Sequence, residues 1–326
     1  MKVLVTGANG LLASNIVREL VNSGYDVRGL VRENSNLLSL KNTDIDLFYG
    51  RITNPADVKK ALAGCQAVIH AAANTSQWPT DLKAYQKVNI DATKLIMEEA
   101  MRREVDRFIF VSSANAFDPG SKEIPGTENS PFSINGKSGY MISKYLAHQL
   151  VLEEQRQSGF PALVVNPTFM LGKYDSKPSS GQIILMAHKK NLMAYPSGGK
   201  NFVHVADAAK GIVNAIQLGK PGECYLMANE NLTYREFFEK LRLVHGRPKS
   251  LFHVPDCMIS LSGFAGNTYQ QLTGNPAKLD RTNARLLIAD NYYSSAKAVS
   301  ELKMPQTPVN QAIADALEWF GQYGYL

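Results

Sequence analysis

The sequence predicts an α/β protein, a doubly wound parallel sheet with a smaller, mainly C-terminal region beside it. Three observations carry this expectation. Short β-branched and apolar runs alternate with helical apolar spacings from Val3 to Pro167. A glycine-rich bend joins the first run to the first helix. From Thr168 the alternation loosens, through Gly172, Pro178-Ser-Ser-Gly181 and Pro196-Ser-Gly-Gly199, into a region of different character. At 326 residues the chain is long enough for one large domain or two modest ones.

Val3-Leu4-Val5 suits a strand buried on both faces. The chain turns at Thr6-Gly7, and Leu12, Ile16, Val17, Leu20 and Val21 then follow a helical spacing. Such a bend aims backbone N–H groups and the positive end of a helix at one spot, where a pyrophosphate can sit. Gly7 permits the tight turn, Gly10 the approach of a phosphate, and Ala13 close packing of helix on strand. A nucleotide cofactor is the expectation; a merely structural turn is the alternative.

Asp26–Val31 reads as the second strand. The residue just beyond it meets the adenosine ribose, where an acid selects NAD and a base accepts the 2′-phosphate of NADP. Arg32 stands there, with Arg28 nearby and Glu33 one position late, so NADP(H) is favoured and NAD(H) stays open. The alternative for Arg32 is a solvated surface arginine. Leu47–Gly50 is a third strand, and Asn54-Pro-Ala-Asp57 opens a helix. Ala67–Ala73 is a fourth, its small carboxyl end leaving room for a flat cofactor; His70, inside an apolar run, reads as a packed residue. Trp78, in the loop Asn74–Thr80, covers a ligand or packs. A helix follows over Asp91–Arg103, then a fifth strand, Phe108–Val111, ending at Ser112-Ser113, where α/β proteins bind ligands.

Asp118–Gly136 has the composition of a loop. Tyr140 opens a helix with Lys144 four residues on, on the same face. Ala162–Asn166 is a sixth strand, stopped by Pro167. Phe202–Val205 leads into a helix over Ala206–Leu218, and Glu223–Met227 adds a last parallel strand. The remainder shows helices near Tyr234–Val244 and Val309–Tyr323, with a Gly/Pro-rich middle.

The 44% hydrophobic and 20% charged content is that of a soluble globular protein. The net charge of +6 is spread without a dense basic stripe, which favours anionic small molecules over nucleic acid. Cys65, Cys224 and Cys257 match no metal spacing and read as reduced thiols, so no metal is expected. Met1–Val5 imitates the start of a signal peptide but is interrupted at Thr6-Gly7. No apolar run reaches the ~18 residues that cross a bilayer. A cytoplasmic protein without membrane partners is expected.

Ser113, Tyr140 and Lys144 form the chemical constellation. A free phenol has a pKa of about 10. A nearby ammonium favours the phenolate, so Tyr140 can give a proton to a carbonyl oxygen and take it back in reverse. Ser113 would hydrogen-bond the same oxygen as charge grows on it. Tyr-x-x-x-Lys also arises by chance on helices; the preceding bend and Ser-Ser raise its weight.

These residues resemble the extended short-chain dehydrogenase/reductases of the NAD-dependent epimerase/dehydratase superfamily. Thr6-Gly7-Ala8-Asn9-Gly10-Leu11-Leu12-Ala13 is similar to the TGxxGxxG/A turn of that family. His70-Ala71-Ala72, Val88-Asn89, Val111-Ser112-Ser113, Tyr140-x-x-x-Lys144, Asn166-Pro167 and Phe202-Val-His-Val205 match its later landmarks in order, across essentially the whole chain. The resemblance implies a Rossmann-type domain over 1–167 and 202–228, with 168–201 and 229–326 binding substrate. It implies Ser113, Tyr140 and Lys144 as catalytic residues, with Lys144 also holding the nicotinamide ribose. It places Thr6, Gly7, Asn9, Gly10, Leu11, Leu12, Arg32, Arg51, Ile52, Ala71, Ala72, Ala73, Asn89, Asn166, Pro167 and Phe169 along the cofactor. Ser113, Trp78, Asn115, Thr168, Met170 and Tyr195 fall to the substrate, with Phe132 and Phe169 adding to an apolar lining.

Val31-Arg32, Ser113-Ala-Asn115, Asn166-Pro-Thr168 and Ser295-Ala-Lys-Ala298 look most like the dihydroflavonol-reductase-like branch, which implies an NADPH-dependent carbonyl reductase. Two departures stand out. Arg51 follows Gly50 where the family usually has an acid for the adenine amino group. Lys200-Asn201 replaces the Arg-Asp that holds a substrate diphosphate in sugar-nucleotide members, and lysine offers only a point charge. A nucleotide-sugar epimerase or dehydratase with tightly held NAD(P) is the alternative, and a non-catalytic NADP-sensing protein a third. Many relatives are dimers, so a homodimer is possible.

Overall fold

The computed structural model describes residues 1–76, 78, 81–190, 192–246, 250–277 and 279–326. Gln77, Pro79 and Thr80 of the loop carrying Trp78 lie outside the described residues. Seven strands form the main sheet: β1 (Lys2–Thr6), β2 (Asp26–Val31), β3 (Asp46–Tyr49), β4 (Ala67–His70), β5 (Arg107–Val111), β6 (Ala162–Pro167) and β7 (Cys224–Met227). Their order is β3-β2-β1-β4-β5-β6-β7, and every pair is parallel. Strand order therefore reverses between β1 and β4, the place where open α/β sheets leave a crevice at their carboxyl ends.

The pleat sorts the strand residues into two layers. Val3 and Val5, Ile109 and Val111, and Leu163 and Val165 face one core with α1 (Leu11–Asn22) and the helix Val205–Leu218. Leu4, Phe108 and Phe110, and Ala162 and Val164 face the other, against α2 (Pro55–Ala61), α3 (Ala92–Arg102) and α4 (Gly139–Ser158). Near-continuous apolar strands are what this double coverage demands.

Other segments after β6 build a second, smaller unit. Strands Phe169–Leu171, Gly199–His204, Glu230–Thr233 and Asp290–Asn291 share one sheet, and Leu192–Tyr195 pairs with Ser250–His253 in a ribbon. Its core gathers Leu171, Phe202, Phe237, Trp319 and Phe320.

The Gly/Pro-rich middle expected between Val244 and Val309 is not a break. It holds the helices Asp256–Thr273 and Arg281–Ile288. Its glycines are packing residues: a Cβ on Gly263 would stand 2.5 Å from that of Ala284, and one on Gly266 would strike the Leu279 carbonyl. The helix over Asp91–Arg103 likewise starts earlier than its pattern suggests, through a π-helical turn at Gln86–Asp91.

Candidate active site

The bend after β1 has the geometry an anion needs. Gly7 lies at φ +65°, and a Cβ there would stand 2.9 Å from Cα of Ala72, so only glycine lets β1 and the segment after β4 close together. Gly10 caps α1 with no side-chain hydrogen bond, which leaves the helix's first amides without a protein side chain as acceptor. Asn9 anchors the bend sideways: its Nδ2 donates to the Asn36 carbonyl and its own carbonyl accepts from Ser39 Oγ. Leu11 and Leu12 open α1, and Ala71–Ala73 continue β4 with short, half-buried side chains.

Thr6 and His70 tie the crevice together. Thr6 Oγ1 accepts from the Ala72 amide at 3.1 Å and lies 2.7 Å from His70 Nδ1. His70 Nε2 is 3.0 Å from Thr93 Oγ1, which donates to the Asn89 carbonyl. With those partners the imidazole is neutral with its proton on Nε2, and complete burial holds its pKa down at about 3. His70 is a packed residue of the network, as its apolar run implies.

Asn89 extends the network. Its side chain accepts from the Asn74 amide and donates to the Asn74 carbonyl and to Ser143 Oγ at 2.9 Å. Ser143 lies in α4 between Tyr140 and Lys144, so one buried amide fixes the segment after β4 against the helix that carries both. Tyr85, four residues before Asn89, meets the Tyr140 ring edge-on at 6.1 Å and donates to the Ser76 carbonyl. Trp78 belongs to that loop, its backbone hydrogen-bonded to Ser76 Oγ.

The structure brings Ser113, Tyr140 and Lys144 together. Ser113 follows the carboxyl end of β5 and caps the short 3₁₀ turn Ala114–Ala116, accepting from the Asn115 amide. Ser138 caps α4, so Tyr140 stands in its first turn. Ser113 hydrogen-bonds the Tyr140 hydroxyl and pulls its pKa down, but burial dominates and pushes it up to about 12. Lys144 is buried; its Nζ donates to the Val111 carbonyl at 2.7 Å and lies 4.6 Å from the Phe110 ring centroid. No carboxylate pairs with it among the described residues, and burial lowers its pKa to about 7.

Asn166, at the carboxyl end of β6, donates from Nδ2 to the Ser113 carbonyl and to His148 Nδ1, while its buried Oδ1 has no partner. Pro167 ends that strand, and Phe169 follows with its ring edge against Phe202 and 4.7 Å from Lys200 Nζ. Thr168 spends its hydroxyl on Asn201 and the Met227 carbonyl. Met170 accepts from Ser180 through its carbonyl, Tyr195 packs on His253, and Phe132 stacks on Tyr145 at 4.0 Å.

At the other end of the crevice, Arg32 directly follows β2, exposed and without a side-chain partner among the described residues. Arg28 does not join it. Its guanidinium pairs with Asp46 across the sheet and donates to the Ala61 and Ala63 carbonyls, so it is structural. Arg51 is exposed, with its backbone amide held by Asp57, and Ile52 packs on the core between sheet and helices. The open groove of about 480 Å³ between α3 and α4, lined by Leu146, Leu150 and Glu153, touches none of these residues.

A dinucleotide fits what is present: uncapped amides at the bend, short side chains after β4, an orphaned acceptor on Asn166, and a free guanidinium after β2. Sequence reading missed Tyr85, Thr93, Ser143 and His148. The spacing of Tyr85, Asn89 and Thr93, four residues apart, was the one signal available for the first two.

Residues 3–228 match the model of the NAD dependent epimerase/dehydratase family. A Synechocystis sp. protein named "Putative dihydroflavonol 4-reductase" is 31% identical, over 99% of this chain and 95% of its own. A Stigmatella aurantiaca ketoreductase, named for a 4-hydroxy-2-methyl-3-oxo-4-farnesyl-3,4-dihydroquinoline-1-oxide, is 28% identical over 78% of this chain and 76% of its own. Among solved structures, the crystal structure of gox2253 superposes with a TM-score of 0.87 at 31% identity, covering 99% of both chains.

Proposed function

The chain belongs to the NAD dependent epimerase/dehydratase family, and from that premise we propose that it is an NADPH-dependent reductase of an aldehyde or ketone on a small, partly apolar molecule. One observation carries the reading: Tyr140, Ser113 and a buried, carboxylate-free Lys144 meet at the carboxyl end of β5, beside the crevice where strand order reverses. Residues 1–167 and 202–228 bind the cofactor in this reading, and 168–201 and 229–326 shape the substrate side.

When bound, NADPH supplies the hydride. The chain's own residues manage the proton. Tyr140 donates its phenolic proton to the carbonyl oxygen as negative charge gathers there, and Ser113 donates a hydrogen bond to the same oxygen. A phenol held near 12 is a reluctant donor to lose its proton, so its partner must favour the phenolate. Lys144, one helical turn away, does so in its protonated form. The exposed Arg32 receives the 2′-phosphate that distinguishes NADPH from NADH. The relatives named for dihydroflavonol reduction and for ketoreduction point to ring-bearing apolar carbonyl compounds.

Screening aldehydes and ketones for NADPH oxidation tests the proposal. Stoichiometric consumption of freely exchanging NADPH is the expected result. A cofactor that copurifies with the protein and is unchanged after turnover would move the assignment to an epimerase or dehydratase.

A further inference from the structure

The helix Asp256–Thr273 is apolar on the side that faces water. Met258, Leu261, Ala265, Tyr269 and Leu272 recur at the i, i+3, i+7 spacing of one helical stripe, and all five are exposed, Leu261 at 70% and Leu272 at 82%. Phe264, beside the stripe, is 61% exposed. The opposite face makes the contact with the protein: Ile259 is buried there, Gly263 meets Ala284 of the helix Arg281–Ile288, and the half-buried Gly266 meets the Leu279 carbonyl just before that helix. Ordinary amphipathic helices do the reverse, placing large apolar residues inward and polar ones outward. Here most of the large apolar residues point out, while Gly263 and Gly266 take part of the inner face.

The charges say what covers this face. No Asp, Glu, Lys or Arg occurs from Cys257 to Ala277. The sequence before the helix has no acid between Glu239 and Asp256, although Lys240 is already paired with Glu230. After it come Arg281 and Arg285; Asp280 is buried as the cap of its helix, and Asp256 accepts from Ser197. Arg281 and Arg285 are exposed and one turn apart. An uncharged apolar stripe with aromatic residues, on a helix packed against one that carries two exposed arginines, complements the surface of an anionic bilayer: acyl chains for the stripe, headgroups for Arg281 and Arg285. A second copy of this chain would bring the same cations against each other. No described helix is long and apolar enough to cross a membrane, so the contact is one of lying on the surface.

We infer that the outer face of the helix Asp256–Thr273 docks the protein on an anionic lipid bilayer. Docking is independent of the proposed reductase chemistry, and vesicle binding rather than NADPH oxidation reads it. The full-length protein is sedimented with phosphatidylcholine vesicles with and without phosphatidylglycerol. Wild type should pellet with the anionic vesicles, and Leu261→Glu with Leu272→Glu should lower its partition by about tenfold or more. Both side chains face solvent, so circular dichroism and NADPH binding should be unchanged. Arg281→Glu with Arg285→Glu should remove the preference for phosphatidylglycerol. Wild type remaining in the supernatant with both vesicles, or a double glutamate variant that pellets like wild type, overturns the inference. So does a dimer seen by light scattering that the glutamate variant converts to monomer, because the face then belongs to a second copy.

Discussion

Lys144 should make the free protein less stable at neutral pH, and replacing it should reveal how much. Its folded pKa is about 7 against 10.5 for an ordinary lysine, because burial among Val111, Phe110 and α4 withholds water from the ammonium. A depressed lysine pKa means that the unfolded chain binds the extra proton between those two values, so stability rises with pH across that window. From pH 7 to pH 9 the gain is roughly 2 kcal/mol, out of about 5 kcal/mol for the whole shift. For a chain of this length that amounts to a rise in Tm of about 3 °C. Lys144→Met keeps the volume and removes the titration. It also leaves the Val111 carbonyl without its donor, a cost that does not vary with pH. Thermal unfolding of both proteins in the same buffers at pH 7 and pH 9 separates the two effects. The wild type should gain on the variant by that amount as pH rises. Parallel curves would refute the buried, unpaired lysine on which the proposed proton chemistry relies.

Tyr140→Phe should lower turnover by ~10²-fold or more, the usual scale for losing a general acid, while NADPH titration by fluorescence shows little change. A defect mainly in binding would count against the assigned role. Arg32→Asp should shift cofactor preference from NADPH towards NADH in parallel binding titrations, and equal preference before and after would remove Arg32 from the site. Gly7→Ala introduces a Cβ 2.9 Å from backbone at φ +65°. It should cost roughly 2–5 kcal/mol of stability from backbone strain and crowding, seen as a lowered Tm together with weakened NADPH binding. A Tm within a degree of wild type would show that β1 and the segment after β4 can part without penalty.

The sheet was legible because its signals are local. Val3–Val5, the bend at Gly7 and Gly10, and the spacing of Leu12, Ile16 and Leu20 each lie within one turn or strand of the next. Tyr140 and Lys144 were legible for the same reason. Arg28, noted only as near Arg32, has its partner set by strand register: Asp46 lies opposite it, while Arg32 is four residues on, just past β2, roughly 13 Å away. The helix Asp256–Thr273 was hidden by its glycines, which mark loops in sequence but here admit a neighbouring helix at Ala284 and the segment leading into it at Leu279.

That difference between local and non-local information also explains why the chemistry is easier to read than the substrate. The crevice after β1 and β4 is made of backbone and short side chains, so it is built from residues that announce themselves as glycine and alanine. The groups that fix the helix of Tyr140 and Lys144 and the crevice beside it act over long separations, Asn89 on Ser143 across 54 positions and Thr6 on His70 across 64. No spacing rule connects them, yet they place the phenol. The substrate side goes further in the same direction. Thr168 lies next to Pro167 in sequence and would pass for a ligand group, but its hydroxyl is committed to Asn201 and Met227 on other strands. Lys200, partly buried beside Phe169, has no acidic partner among the described residues, so tertiary packing has left its charge uncommitted there.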